Sequence, residues 1–208
     1  MRSFAILPAA GRSVRMGRPK LLLPWRNAAI IDAVLQTWLA ARVDRVVVVV
    51  RADDQALANA CQAAAEAAGD ERLAIVRPTP DPLDMKASVA AALRWLATHE
   101  QPTDDDVWLL APADLPTLSR ETIERMLAAA DSGRREICVP LHGGRRGHPV
   151  VFPWRLACAV DQLGEDEGIN RLLTMHPVRE VPDELESPPS DIDTPADYAR
   201  MVERGEMR

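Results

Sequence analysis

Basic and acidic side chains gather at three places in this 208-residue chain where their types and spacing could act on a phosphate. The first is Leu7-Pro8-Ala9-Ala10-Gly11-Arg12-Ser13-Val14-Arg15-Met16-Gly17-Arg18-Pro19-Lys20, in which small residues are followed by four cations, Arg12, Arg15, Arg18 and Lys20. Small residues let backbone N–H groups approach phosphate oxygens closely, and open parallel sheets bind ligands where their strands end. The stretch is neither a Walker loop nor a G-x-G-x-x-G turn. On residue types alone it is either a phosphate site or a basic surface loop. The second place is Asp114, just past the apolar run Trp108-Leu109-Leu110-Ala111. A carboxylate at a strand's carboxyl end is placed to ligate Mg²⁺, which takes hard oxygen donors and shares its coordination with substrate phosphates; the alternative is a turn-capping role before Pro116. The third is Ser190-Asp191-Ile192-Asp193-Thr194-Pro195-Ala196-Asp197-Tyr198. Asp191 and Asp193 stand two apart, so in an extended segment both carboxylates project to one face. Against that, Asp193 or Thr194 could simply cap a helix begun by Pro195.

The elements that must position these residues follow from periodicity. Apolar runs of strand length alternate with helical periods, the pattern of a mostly parallel sheet covered by helices. Strands are expected at 3–8, 45–50, 73–76, 107–111, 137–141, 149–152 and 178–181. Helices are expected at 28–42, 53–69, 85–99, 167–175 and 195–203, with another starting near 121–126 behind Ser119 as N-cap. In the first helix Ile30, Ile31, Val34, Leu35, Trp38 and Leu39 share one face, and Gly69 is a stop signal for the second. Gly143-Gly144-Arg145-Arg146-Gly147 separates 137–141 from 149–152, so these two strands are expected to form an antiparallel hairpin. Residues 183–190, with Pro188-Pro189, are expected to be a loop. No linker splits the chain, and its length suits one domain over 1–208.

The first stretch, Pro8-Ala9-Ala10-Gly11-Arg12-Ser13-x-Arg15-Met16-Gly17-x-Pro19-Lys20-Leu21-Leu22, resembles the signature loop of the MobA-like NTP transferase family, and its Ala-Ala-Gly form resembles the molybdenum cofactor cytidylyltransferases within it. Asp114-Leu115-Pro116 is similar to the family's Asp-x-Pro, and Asp191-Ile192-Asp193-Thr194-Pro195 to its closing motif. The resemblance implies an α/β fold: a single Rossmann-like three-layer domain with a mixed, mostly parallel sheet, as in the glycosyltransferase-A-like nucleotide-diphospho-sugar transferases. It implies that Pro8, Ala9, Ala10, Gly11, Arg12, Ser13, Lys20 and Ser88 meet the nucleotide, that Arg15, Lys20 and Asp114 act in catalysis, and that Asp114 and Asp193 bind Mg²⁺ or Mn²⁺. The implied reaction moves CMP from CTP, the NTP substrate, to a phosphorylated acceptor, molybdopterin-bound molybdenum, and releases pyrophosphate. The alternatives are a GTP- or CTP-dependent transferase for a sugar, polyol or phospholactate phosphate, and a noncatalytic chaperone of the molybdenum cofactor.

Two weaker matches concern the acceptor. Gly147-His148-Pro149 resembles the family's Gly-His-Pro, and Asp166-Glu167-Gly168-Ile169-Asn170 resembles its Asp-x-Gly segment. They nominate His148, Asp166, Gly168 and Asn170, with Arg145 and Arg146 as added charge; the other reading makes His148 a turn residue and the two arginines a solvated loop. The chain departs from the family pattern at Asp84, where glycine is usual, at Lys86, which replaces a small residue near Ser88, and at Asn27, where a turn glycine is missing. These departures fall where substrate choice is made.

Composition excludes other classes. A net charge of −6 argues against a nucleic acid partner, which normally needs a basic surplus. Apolar runs such as 46–50 are far too short to cross a membrane. The start of the chain lacks the long apolar region of a signal peptide, and Cys61, Cys138 and Cys158 are widely spaced, so reduced core thiols in the cytoplasm are expected. The partners expected are small-molecule substrates, with a molybdoenzyme or chaperone as a transient protein partner. Trp38, Trp95 and Trp108 fall on apolar faces and are expected in the core, while Trp25, beside the signature loop, is the one tryptophan considered for a ligand.

Overall fold

The computed structural model describes residues 1–132, 136–184 and 189–203. Strand β1 (Ser3–Pro8) leads through the signature loop to a two-rung ribbon, β2 (Pro24–Trp25) against β3 (Ala28–Ala29), and helix α1 (Ile30–Ala40). Then α/β alternation takes over, with β4 (Arg45–Val49), α2 (Gln55–Ala68), β5 (Leu73–Val76), α3 (Met85–His99), β6 (Val107–Leu110) and α4 (Arg120–Asp131). Strands β7 (Ile137–His142), β8 (Arg145–Arg146) and β9 (Val150–Pro153) follow, then the short helices α5 (Ala157–Val160) and α6 (Leu172–Met175), strand β10 (Val178–Pro182) and α7 (Pro195–Glu203).

The main sheet runs β10-β7-β9-β6-β1-β4-β5, with β8 paired to β7. β1 pairs in parallel with β4 and β6, and the pairs β4/β5 and β7/β10 are also parallel. Among the described strands of this sheet, only β8 and β9 run against their neighbours. Strands buried on both sides feed two cores by simple alternation. Ala5, Leu7, Val46 and Val48 pack with α1, α2, α4 and α7, while Phe4, Ile6, Val47 and Val49 pack with α3, α5 and α6. The result is three layers. Each fully buried branched side chain contributes about 1.5–3 kcal/mol, so the two cores hold the strand ends rigidly in register.

The caps expected from the sequence are present. Ser119 accepts from the backbone N–H of Thr122 at 3.1 Å, and Gly69 ends α2 with φ of 60°, a left-handed conformation that glycine adopts without steric cost. Several expectations need correction. Segments 137–141 and 149–152 do pair antiparallel, but only through Cys138 and Val151. The tight hairpin joins β7 to β8 across Gly143 and Gly144, whose φ values of 53° and 82° suit the turn, and β9 instead runs along β6. Residues 28–29 belong to the ribbon, so α1 begins at Ile30. Helix 167–175 is broken into a 3₁₀ turn (Ile169–Arg171) and α6, with Ile169 and Leu172 as its anchors. Finally, Cys158 is exposed rather than in the core, and Trp25, itself part of the ribbon, is buried in the core rather than open to solvent beside the signature loop.

Candidate active site

The loop after β1 is folded by a few specific features. Its start is stitched to both neighbouring strand ends, by Ala9 N–H to Val49 O at 2.9 Å and Ala113 N–H to Pro8 O at 3.4 Å. Ser13 and Gly17, with φ of 50° and 70°, bracket a 3₁₀ turn (Val14–Met16), and Ser13 Oγ accepts from the Lys20 N–H at 3.3 Å. Met16 and Leu21 are buried, which pins the loop from below and leaves Arg15 and Lys20 free to face the opening. From behind, Arg51 at the end of β4 donates to the carbonyls of Ala10 (3.4 Å) and Gly11 (3.1 Å). Asp53 and Asp54 hold that guanidinium at 2.9 and 3.1 Å. Sequence reasoning misses Arg51, whose one signal is a lone cation directly after a buried valine run.

The acidic positions converge on the same loop. Lys20 Nζ donates to Asp114 Oδ2 and, at 2.9 Å, to Asp193 Oδ1, while Arg15 Nη2 donates to Asp193 Oδ2 at 2.7 Å. Burial works against the Lys20 ammonium, yet the attraction and hydrogen bonds of Asp114 and Asp193 outweigh it and raise its pKa above the ordinary lysine value. Burial also pushes the Asp114 carboxyl up, and Lys20 pulls it back only in part. Geometry decides which residues cap α7. Thr194 Oγ1 accepts from the Asp197 N–H at 3.2 Å, and Asp197 Oδ2 accepts from the Thr194 N–H at 2.7 Å. This reciprocal cap starts α7 and leaves the Asp193 carboxylate to the cleft.

The donor set fits a hard divalent cation. Asp114 is only 8% exposed, and its Oδ1 is buried without a hydrogen-bond partner, a costly arrangement that a metal ion would relieve. Among the described residues no group of three or more His, Cys, Asp or Glu side chains could hold a metal by itself. A cation on Asp114 and Asp193 would therefore complete its shell with water or substrate oxygens, as Mg²⁺ commonly does.

A cleft of about 530 Å³ opens above these groups. Pro8, Ala9, Ala10, Gly11, Arg12, Arg15, Lys20, Ser88, Asp114, Asp191 and Asp193 all line it, drawn from the ends of β1 and β6, the start of α3 and the approach to α7. The far wall is Pro82, Leu83, Asp84 and Met85, whose apolar members belong to no motif in the sequence. That wall is tied across the mouth by Asp81, which accepts from the Ala52 N–H at 2.8 Å and from Arg12 at 3.3 Å. Two departures from the family pattern acquire local explanations. Asp84 caps α3 by accepting from the Ala87 N–H at 2.7 Å, and Ser88 Oγ donates back to the Asp84 carbonyl at 3.0 Å. Lys86 turns away to donate to the carbonyls of Gly164 and Glu165. At the third, Arg26 takes the turn with φ of 52° where a glycine is missing.

The remaining nominated residues do not line this cleft. Ser13 faces an adjoining hollow of about 360 Å³ with Arg18 and Arg51. The His148 ring lies 3.2 Å from the Leu110 carbonyl at the end of β6. Burial depresses its pKa despite the pull of that carbonyl, Asp114 and Asp191, which favours a neutral ring. Asp166, Gly168 and Asn170 are exposed around the 3₁₀ turn before α6, and Arg145 and Arg146 are exposed on β8.

The model of the MobA-like NTP transferase domain matches residues 5–181. The molybdenum cofactor cytidylyltransferase of Escherichia coli (strain K12) is 26% identical over 199 residues, covering 96% of this chain and 95% of its own length. The nicotine blue oxidoreductase of Paenarthrobacter nicotinovorans is 29% identical over 208 residues, covering 95% of each. Among solved structures, Rv0371c from Mycobacterium tuberculosis H37Rv superposes with a TM-score of 0.78 at 28% identity, over 98% of this chain and 99% of that one. Its complex with manganese gives 0.73 at 27% identity over the same shares.

Proposed function

This chain belongs to the MobA-like NTP transferase family, and from that membership we propose that it transfers CMP from CTP to the molybdopterin-bound molybdenum cofactor, releasing pyrophosphate, with Mg²⁺ or Mn²⁺. The observation that carries the reading is the meeting in one cleft of Arg15 and Lys20 from the signature loop with Asp114 and Asp193 from two distant segments. Phosphoryl-type transfer needs mainly positioning and charge stabilisation. Two cations beside two carboxylates supply both.

In this reading the backbone of Ala9, Ala10 and Gly11 cradles the nucleotide, with Arg12, Ser13 and Ser88 at its edges. Arg15 and Lys20 offset the charge of the triphosphate and the charge that develops in transfer. Asp114 and Asp193 hold the divalent cation, which when bound polarises the α-phosphoryl group and orients the leaving pyrophosphate. The acceptor's phosphate is already ionised at neutral pH, so no side chain has to act as general base. His148, Asp166, Gly168 and Asn170 receive the acceptor beyond the cleft. That Rv0371c has been solved as a complex with manganese supports a divalent ion in this reading, and the Ala-Ala-Gly form of the loop favours CTP. No described helix is long and apolar enough to cross a membrane. The three cysteines are unpaired, which suits a reducing cytoplasm.

The experiment is pyrophosphate release by the purified protein with CTP, GTP or other NTPs, divalent metal and molybdopterin-bound molybdenum. Metal-dependent release with CTP is expected. Release with GTP alone would move the base assignment, and release only with a sugar or polyol phosphate would move the acceptor. Nucleotide or cofactor binding without release would favour the chaperone reading. The similarity to nicotine blue oxidoreductase gives a second reading, an oxidoreductase, which predicts a redox change in the substrate and no release of pyrophosphate.

A further inference from the structure

Lys20 sits where a shared cation would sit. Its ammonium hydrogen-bonds Asp114 Oδ2 and Asp193 Oδ1 together, and its side chain is only 16% exposed. An ammonium lying between two carboxylates fills the space, and carries the positive charge, that a divalent ion shared by them would need, so the two occupants compete for one position. The fit is incomplete, because the buried Asp114 Oδ1 stays without a hydrogen-bond partner. Lysine suits a movable occupant: a point charge on a flexible four-carbon stem can leave without any backbone change. The backbone here is fixed independently, by Ser13 Oγ on the Lys20 N–H. Arg15 differs, since it touches Asp193 alone and its side chain is 71% exposed.

We infer that Lys20 is a placeholder for the divalent cation, holding Asp114 and Asp193 together in the nucleotide-free protein and yielding the position when the phosphates of an NTP draw its ammonium away. The inference rests on the nucleotidyltransferase reading and extends it to the order of binding. Metal and nucleotide then tighten one another by the same factor, because linkage between two binding equilibria is reciprocal. In the nucleotide-free protein the lysine keeps the metal site closed to bulk cations.

The test is Mn²⁺ binding to the nucleotide-free protein, followed by the electron paramagnetic resonance signal of free Mn²⁺. Lys20→Met, with Lys20→Gln as a second neutral variant should the first fail to fold, is expected to bind Mn²⁺ about tenfold more tightly than wild type. Lys20→Arg should stay near wild type, Arg15→Met should gain less than about threefold through simple loss of one positive charge, and adding Asp114→Asn to Lys20→Met should remove the gain. The inference is overturned by a neutral Lys20 variant that binds Mn²⁺ no better than wild type, by an equal gain in Arg15→Met, or by a gain that survives Asp114→Asn. A wild-type protein whose melting temperature is indifferent to every NTP with Mn²⁺ would instead sink the transferase reading, and the two failures are separately visible.

Discussion

On one wall of the cleft Arg15, Lys20, Asp114 and Asp193 are joined side chain to side chain and the loop behind them is braced by Arg51; on the other, Leu83 and Met85 turn apolar side chains to water at 99% and 47% exposure. The first wall is held by hydrogen bonds and ion pairs that reach across long stretches of sequence, from residue 20 to 193 and from 51 to 11. The second is a short proline-rich loop fastened mainly through Asp81. The difference teaches where each task belongs. Charge stabilisation needs groups that do not reorganise during the reaction, whereas discrimination among substrates can be left to an exposed surface that gains contacts only when covered.

That division can be broken most directly at Asp114. Asp114→Ala should lower turnover about a thousandfold, the scale of removing a preorganised charge from a transferring group, while the melting temperature shows the domain still folded. Near-normal pyrophosphate release from this variant would remove the charged wall from the chemistry altogether. Arg51→Met tests the bracing. It should raise the KM for the NTP about ten- to thirtyfold, in line with one or two charge-assisted hydrogen bonds, with kcat changed less than about threefold. A purely structural arginine would lower the melting temperature and leave KM alone.

Much of this architecture is legible in the amino-acid sequence. Segments 3–8, 73–76, 85–99 and 195–203 coincide with Ser3–Pro8, Leu73–Val76, Met85–His99 and Pro195–Glu203 because each is bounded by a strong local signal, such as the proline that opens α7. The insertion of β9 between β6 and β7 is not legible, since periodicity reports that a segment is a strand and not which strand it pairs with. Trp25 misleads for a related reason, as the ribbon that buries it is only two residues wide on each side. In the site, the motifs around Lys20, Asp114 and Asp193 stand out one by one, but the ammonium bridging both carboxylates is a three-dimensional fact. Leu83 carries no sequence signal at all: exposure, not residue type, makes it notable.

A remote change sharpens the comparison by moving stability without touching either wall. His142 on β7 is fully buried, with the Asp183 carboxylate 3.8 Å away and Arg125 paired to that carboxylate at 3.0 Å. Burial lowers its pKa below 6.5, against the attraction of Asp183. The unfolded chain therefore takes up the proton first, so this contribution to stability is complete above pH 6.5 and is lost as the pH falls below it. The loss cannot exceed about 1.4 kcal/mol per pH unit for one proton. Chemical denaturation at pH 7.5 and 5.5 should show His142→Leu losing less stability than wild type, with the residual slope reflecting groups such as His148, whose pKa is also depressed. Turnover at pH 7.5 should be unchanged; a loss there would tie this end of the sheet to the cleft.

The smallest effect belongs to the open wall. Leu83 makes almost no use of its side chain in the folded protein, so Leu83→Ser should leave stability within about 0.5 kcal/mol of wild type. If a flat ring of nucleotide or acceptor covers about 40 Å² of it, the lost burial amounts to about 1 kcal/mol at 25 cal/mol per Å², or roughly fivefold in KM. The change should appear in one substrate's KM and not in kcat, because apolar contact with a part of the substrate that does not react stabilises ground and transition states alike. Whichever KM moves identifies the ring that lies on this wall. If neither moves, Leu83 serves no substrate, and the discriminating surface has to be sought on the far side of the charged wall, where His148 stands beside the end of β6.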